Sequence, residues 1–275
     1  SYNTAFRVPS FNQIFNAVGI SPYLGSDIAD PAVCPAGRPV AGDPNCVLVQ
    51  NLNTGFGGTP GLEPETAKQY SIGFVFEPMP AFSVSVDWWS IERDNQIRAL
   101  SERELIDNFG LFQGRFVRDG AGALIGIDKS WINSGGSQTE GLEIALRSGA
   151  KVNNGRLSGG MDISYLLKKR SRLTQAAPWG SSEVGRNTLS GDLGIRWKHN
   201  AFVSWNQGSW TSTLSQTYRG GVRDRSAPGV ASGAIVPPDF RPRTEPYEVF
   251  NASVAYAGIK NLTLTAGIKN ILNTD

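Results

Sequence analysis

Apolar and polar side chains alternate through nine stretches of the chain: 2–10, 68–77, 81–96, 137–148, 156–169, 191–206, 209–220, 246–257 and 261–272. In "QYSIGFVFE", Tyr70, Ile72, Phe74 and Phe76 share a face, and in "FSVSVDWW", Phe82, Val84, Val86 and Trp88 do. In "GLEIALR", Leu142, Ile144 and Leu146 oppose Glu143 and Arg147. In "RLSGGMDISYLL", Leu157, Met161, Ile163 and Tyr165 oppose Ser158, Asp162 and Ser164. In "DLGIRWKHNAFVSW", Leu193, Ile195, Trp197, Val203 and Trp205 oppose Arg196, Lys198 and Asn200. A period of two is the signature of strands with one apolar face and one wet face. An all-β, antiparallel protein is expected.

The connections alternate as well. Those near 79, 152, 207 and 259 are short, whereas 11–67, 97–136, 170–190 and 221–245 are long. All hairpin turns then lie at one end of the sheet and all large loops at the other. A soluble sandwich has little reason to sort its loops this way, but a transmembrane β-barrel does. Tilted strands of this length also cross the hydrocarbon layer. Phe82, Trp88, Tyr165, Trp197, Trp205, Trp210, Tyr218 and Tyr256 recur near strand ends on the apolar face. Interfacial aromatic girdles predict that placement, with ordinary β-core aromatics as the alternative. Asp87, Glu143, Arg147, Asp162, Arg196 and Lys198 on the polar face would line a lumen.

Composition agrees. Only 40% of the 275 residues are hydrophobic, and no run approaches the roughly 18 apolar residues of a spanning helix. Spanning strands escape that test because their alternation halves their apparent hydropathy. A net charge of +2 is too small to argue for nucleic acid. Ser1 opens directly in "SYNTAFRVPSF", without the basic start and apolar core of a signal peptide. A cytosolic protein, a mature chain and a fragment all stay open. Cys34 and Cys46 lie in "DPAVCPAGRPVAGDPNC", where the spacing does not match a zinc site. They read as a loop disulfide in an oxidising compartment, with two free thiols as the alternative. Ser101 and Glu104 stand at capping-box spacing and predict one short helix over about 102–109, inside the 97–136 loop. Leu105, Phe109 and Phe112 fall on one side of it, which suits packing over a rim or a ligand gate.

Four segments resemble, in the same order, the barrel of TonB-dependent outer-membrane receptors: "TAFRVPSFNQIF", "PGLEPETAKQYSIGFVFEP", "SQTEGLEIAL" and "LTLTAGIKNILNTD". In the last, Ile271 stands where the family usually has Leu. The resemblance implies a barrel of about 22 strands closed around a plug. On that resemblance residues 1–275 are expected to supply about nine of those strands, a C-terminal portion without the plug, the early strands or the final strand. It implies location in the bacterial outer membrane and uptake of a scarce nutrient, first a ferric siderophore, driven by the TonB complex. It also implies that the polar face grips the plug.

Chemistry of other kinds is sparse. The single histidine, His199, falls on the apolar face, at what reads as the lower end of its strand. A hydrolase such as an outer-membrane phospholipase would need a nucleophile and carboxylate beside it. No cofactor or metal motif appears, and no enzymatic activity is expected. Two basic clusters, Lys168, Lys169, Arg170 and Arg172, and then Arg219, Arg223, Arg225, Arg241 and Arg243, would lie on the extracellular side. Arg binds phosphate through paired N–H donors, so lipopolysaccharide or an anionic ligand is the expected partner, against a merely solvated charge run. The Asn-x-Ser/Thr matches at Asn251 and Asn261 read as chance. A diffusive porin and a soluble extracellular adhesin or lectin are the alternative functions.

Overall fold

The computed structural model describes residues 1–25, 27–187, 193–224 and 243–274. Nine strands form one antiparallel sheet in strict chain order. They are β1 (Tyr2–Arg7), β2 (Glu65–Met79), β3 (Phe82–Asp94), β4 (Gly136–Val152), β5 (Gly155–Arg172), β6 (Trp197–Gln207), β7 (Trp210–Arg219), β8 (Tyr247–Ile259) and β9 (Leu262–Ile268). All nine predicted strands are present. The turns β2–β3, β4–β5, β6–β7 and β8–β9 each take two residues. Asn153, Gly208 and Asn261 supply left-handed backbone in three of them, as such tight reversals require. The other connections are long and emerge from the opposite end of the sheet.

Boundaries moved where local chemistry intervenes. The strand expected over 2–10 stops at Arg7, because Ser10 caps a short helix, Phe11–Phe15, in a reciprocal box with Gln13. The strand expected from 191 begins at Trp197. The loop helix is Glu102–Asp107, capped by Ser101 and Glu104 as the spacing predicts, with a further turn at Phe109–Phe112.

The main cluster of buried apolar residues lies outside the nine-stranded sheet. Ile28, Leu52, Leu100, Leu105, Ile106, Phe116, Leu124 and Ile127 pack together, all from the two longest loops. Phe109 and Phe112 lean on the same cluster. Four short strands stitch these loops into a second sheet, in the order Gly19–Pro22, Asn53–Phe56, Leu124–Asp128, Phe116–Arg118. This sheet was not anticipated, since its strands are too short to show a period. Cys34 and Cys46 are joined in a disulfide, Cα to Cα 5.1 Å, and are buried. Arg103 donates to the Ala36 carbonyl at 2.7 Å and so ties the disulfide ring to the loop helix. Arg118 reaches both oxygens of Asp30 at 2.6 and 2.8 Å across the two loops. The two loops therefore form one module.

Leu105 is among the most deeply buried side chains of that module. Leu105→Ala should cost about 2–5 kcal/mol locally. Amide exchange should accelerate in 20–56 and 97–128 while the ladder amides of β3–β5 stay protected; equal acceleration in both would refute a separate module.

Candidate functional site

Because each strand pairs with the next in chain order, residue parity is carried across the sheet. Phe74, Val86, Ile144, Ile163, His199, Tyr218 and Glu248 form one continuous cross-strand row. Ile72, Trp88, Leu142, Tyr165 and Trp197 form the row above it. Trp205, Trp210 and Tyr256 share this face nearer the turns, where Trp210 and Tyr256 pack at 4.5 Å. Among the described residues no second layer covers the face at β2, where Ile72, Phe74 and Phe76 are 72%, 61% and 58% exposed, whereas Ile163 further along the row is buried.

Asp87, Glu143, Arg147, Asp162 and Lys198 fall on the opposite face. Arg147 pairs with Asp162 at 2.6 Å. Asp87 and Glu143 are direct cross-strand neighbours, and neither has a hydrogen-bond or ion-pair partner among the described residues. Two carboxylates placed so repel one another. Asp87 lies over Gly73, where an added Cβ would stand 1.9 Å from Oδ1.

Three expectations need correction. Arg196 does not join that polar face. It precedes β6, where alternation has not begun, and its guanidinium lies over the Tyr165 ring at 5.9 Å. Leu193 and Ile195 leave the apolar face for the same reason and line cavities on the polar side. His199 sits at the long-loop end of β6, not the lower end, because the β6–β7 turn follows Gln207.

The basic clusters separate. Lys168 pairs with Glu140 at 2.6 Å, and Arg172 with Asp94 at 2.6 Å. Arg170 donates to Gln138 at 2.9 Å, and with Arg172 it covers Trp179. Lys169 instead lines a cavity on the polar face. Arg219 lines a second cavity on that side, about 700 Å³. Arg223 and Arg243 meet through an isolated backbone bridge. Arg225 and Arg241 lie outside the described residues.

The larger cavity measures about 920 Å³. Its wall is the long-loop end of the polar face, with Trp89, Arg93, Lys169 and Lys198, and its roof is Arg98, Leu100, Ser101 and Glu104 at the start of the loop helix. Lys129 also lines it. Arg98 is held by Glu104 at 2.9 Å and Lys129 by Glu102 at 2.6 Å. Arg93 and Lys198 have no ion-pair partner among the described residues. Arg93, Arg98, Lys129, Lys169 and Lys198 line the space against Glu104 and Glu183, an arrangement that raises the local concentration of anions. Sequence reasoning missed Trp89 and Arg93, yet a signal existed: the odd positions of 83–93 read Ser, Ser, Asp, Trp, Ile, Arg, with a large ring on the wet side.

The family described as TonB dependent receptor-like, beta-barrel, matches residues 1–271. The fold is similar to a ferric enterobactin receptor, PfeA, of Pseudomonas aeruginosa, with a TM-score of 0.61 at 17% identity over 99% of this chain and 32% of that one. It is also similar to the siderophore receptor PirA of Acinetobacter baumannii, with a TM-score of 0.58 at 14% identity over 98% of this chain and 34% of that one. The PirA of Pseudomonas aeruginosa gives a TM-score of 0.52 at 15% identity, over 100% of this chain and 36% of that one. The chain thus spans about a third of these receptors' length. Comparison with curated proteins by sequence finds no match. The chain belongs to the TonB-dependent receptor β-barrel family, whose members are bacterial outer-membrane transporters rather than enzymes.

The loop module carries an acid-sensitive tie between Asp30 and Arg118. Hydrogen bonds from Arg118 hold the Asp30 carboxyl below the usual range. A lowered folded pKa contributes stability above the ordinary value of about 3.9 that is lost as pH falls through the folded one. Proteolysis of the loop module should therefore rise below about pH 4, and Asp30→Asn should flatten that rise; an unchanged profile would refute the link.

Proposed function

We propose that this chain forms a C-terminal part of the barrel wall of an outer-membrane receptor that imports a ferric siderophore, powered by the TonB complex. The observation that carries the reading is the bare apolar face. Its aromatic residues Trp88, Tyr165, Trp197 and Tyr218 sit toward the loops, and Trp205, Trp210 and Tyr256 sit toward the turns. Trp197 and Trp205 lie eight residues apart on β6, about 26 Å of strand, or about 20 Å along the membrane normal at a tilt of about 40°. That approaches the height of a lipid-facing band. The polar face then looks into the lumen, where Asp87 and Glu143 await a cation from the plug, and Arg147 and Asp162 line the path. The cationic cavity beneath the loop module favours an anionic ligand, and the ferric complexes of catecholate siderophores are anionic. The likeness to siderophore receptors agrees with this reading.

The test uses the full-length receptor with Arg93→Gln and Lys198→Gln combined, reading ferric tricatecholate binding by tryptophan quenching. Affinity should fall about tenfold or more, as for loss of charge-assisted contacts. Unchanged ferric-complex affinity would remove the cavity from the reading. Uptake that survives collapse of the proton gradient would replace the energised receptor with a diffusive pore.

A further inference from the structure

We infer that the loop end of β5 and β6 holds, on the outward face, the phosphorylated sugar headgroup of an outer-leaflet glycolipid, seated on Tyr165 and Trp197 with Arg196 on its phosphate. The inference rests on the membrane-facing reading of the apolar face. It moves the expected lipopolysaccharide contact away from Lys168 and Arg172, whose charges are already compensated by Glu140 and Asp94.

Arg196 is different. It is exposed and makes no ion pair among the described residues. Its guanidinium lies over Tyr165, with Nη1 3.5 Å from the phenol oxygen. Nη1 donates to that oxygen, which leaves the Nε–Nη2 edge without a partner among the described residues, and guanidinium binds phosphate through such an edge in a fixed fork.

The rings beside it are fixed in advance. Tyr165 and Trp197 meet edge to face at 5.9 Å. The Trp197 indole can only donate, and it donates to His199 Nδ1 at 2.8 Å. The imidazole hydrogen therefore sits on Nε2, which faces Gln216 Oε1 at 3.1 Å. The Gln216 amide in turn donates to Glu248. His199 is stacked on Tyr218 at 5.0 Å. Each donor in this chain has one acceptor, so the indole is held at one angle before any ligand arrives. A preorganised aromatic platform beside an unpaired guanidinium matches a phosphorylated sugar. The same face continues toward the turns through Ile163, Met161, Ala201 and Val203, a surface for acyl chains. That continuity favours a lipid over a free sugar phosphate.

The experiment takes the full-length receptor from outer membranes and measures bound lipopolysaccharide per receptor by native mass spectrometry. Arg196→Gln should lower retention about tenfold, Arg196→Lys should fall between, and Lys168→Gln should change it little. Wild-type retention by Arg196→Gln overturns the site. Equal displacement of the glycolipid by phosphatidylglycerol in nanodiscs overturns the sugar contact. Outer-membrane fractionation of every variant is scored separately. A receptor absent from the membrane would overturn the membrane reading itself, whereas a membrane-inserted variant with unchanged lipid would overturn only this site.

Discussion

The structure depends on one constraint: every strand of the nine-stranded sheet pairs antiparallel with the next in chain order, so backbone donors and acceptors are satisfied between neighbours and parity passes from strand to strand. A row that begins at Phe74 reaches Tyr218 without changing face. A slip of one residue in any pair would invert every side chain beyond it. Tight turns at one end hold the register, with left-handed Asn153, Gly208 and Asn261 at three reversals. Where hydrocarbon surrounds a sheet, this ladder is also the means by which backbone polarity is hidden.

Because the apolar side of the sheet is largely uncovered among the described residues, the interior packing of this chain had to be built elsewhere. It was built in the loops. The cluster around Leu105 and Ile127 is a small soluble-protein core set beside a sheet that buries little apolar surface among the described residues. Its tightest join is Gly37, whose backbone is left-handed and where a Cβ would stand 2.3 Å from Ile106. Through that contact and the Arg103–Ala36 bond, the disulfide ring bears on the helix that roofs the larger cavity. A roof braced in this way presents Glu104 and Arg98 to the cavity in a set geometry rather than as parts of a loose loop.

Much of the sheet was legible because its signal is local: alternation within a strand names the face, and the turn-loop rhythm names the end. The capping box at Ser101 was legible for the same reason. What could not be read depended on contacts between distant segments. The four-stranded loop sheet joins residues near 20, 54, 117 and 126, each piece too short to carry a period. Arg196 and Ile195 looked like strand residues because alternation continued through them, but the ladder begins only at Trp197. The cavity needed both the register and the loop fold before Arg93 and Lys198 could be seen together.

A single irregularity explains how the basic cluster at 168–172 divides. On β5, Tyr165 faces outward and Leu166 inward, so unbroken alternation would send Lys168 inward and Lys169 outward. The register instead slips between Glu140 and Gly141: Gly141 pairs with Leu166, while Glu140 pairs with Lys168. Leu167 is the extra residue, left without a partner and 41% exposed. A bulge of this kind reverses the facing of everything beyond it. Lys168, Arg170 and Arg172 thereby turn outward to Glu140, Gln138 and Asp94, and Lys169 turns into the cavity. A cluster that reads as one patch in sequence is thus two. One part reinforces the outer rim through paired charges, and the other adds a positive wall where an anion would sit. The bulge, rather than the composition of the segment, assigns each cation to its side.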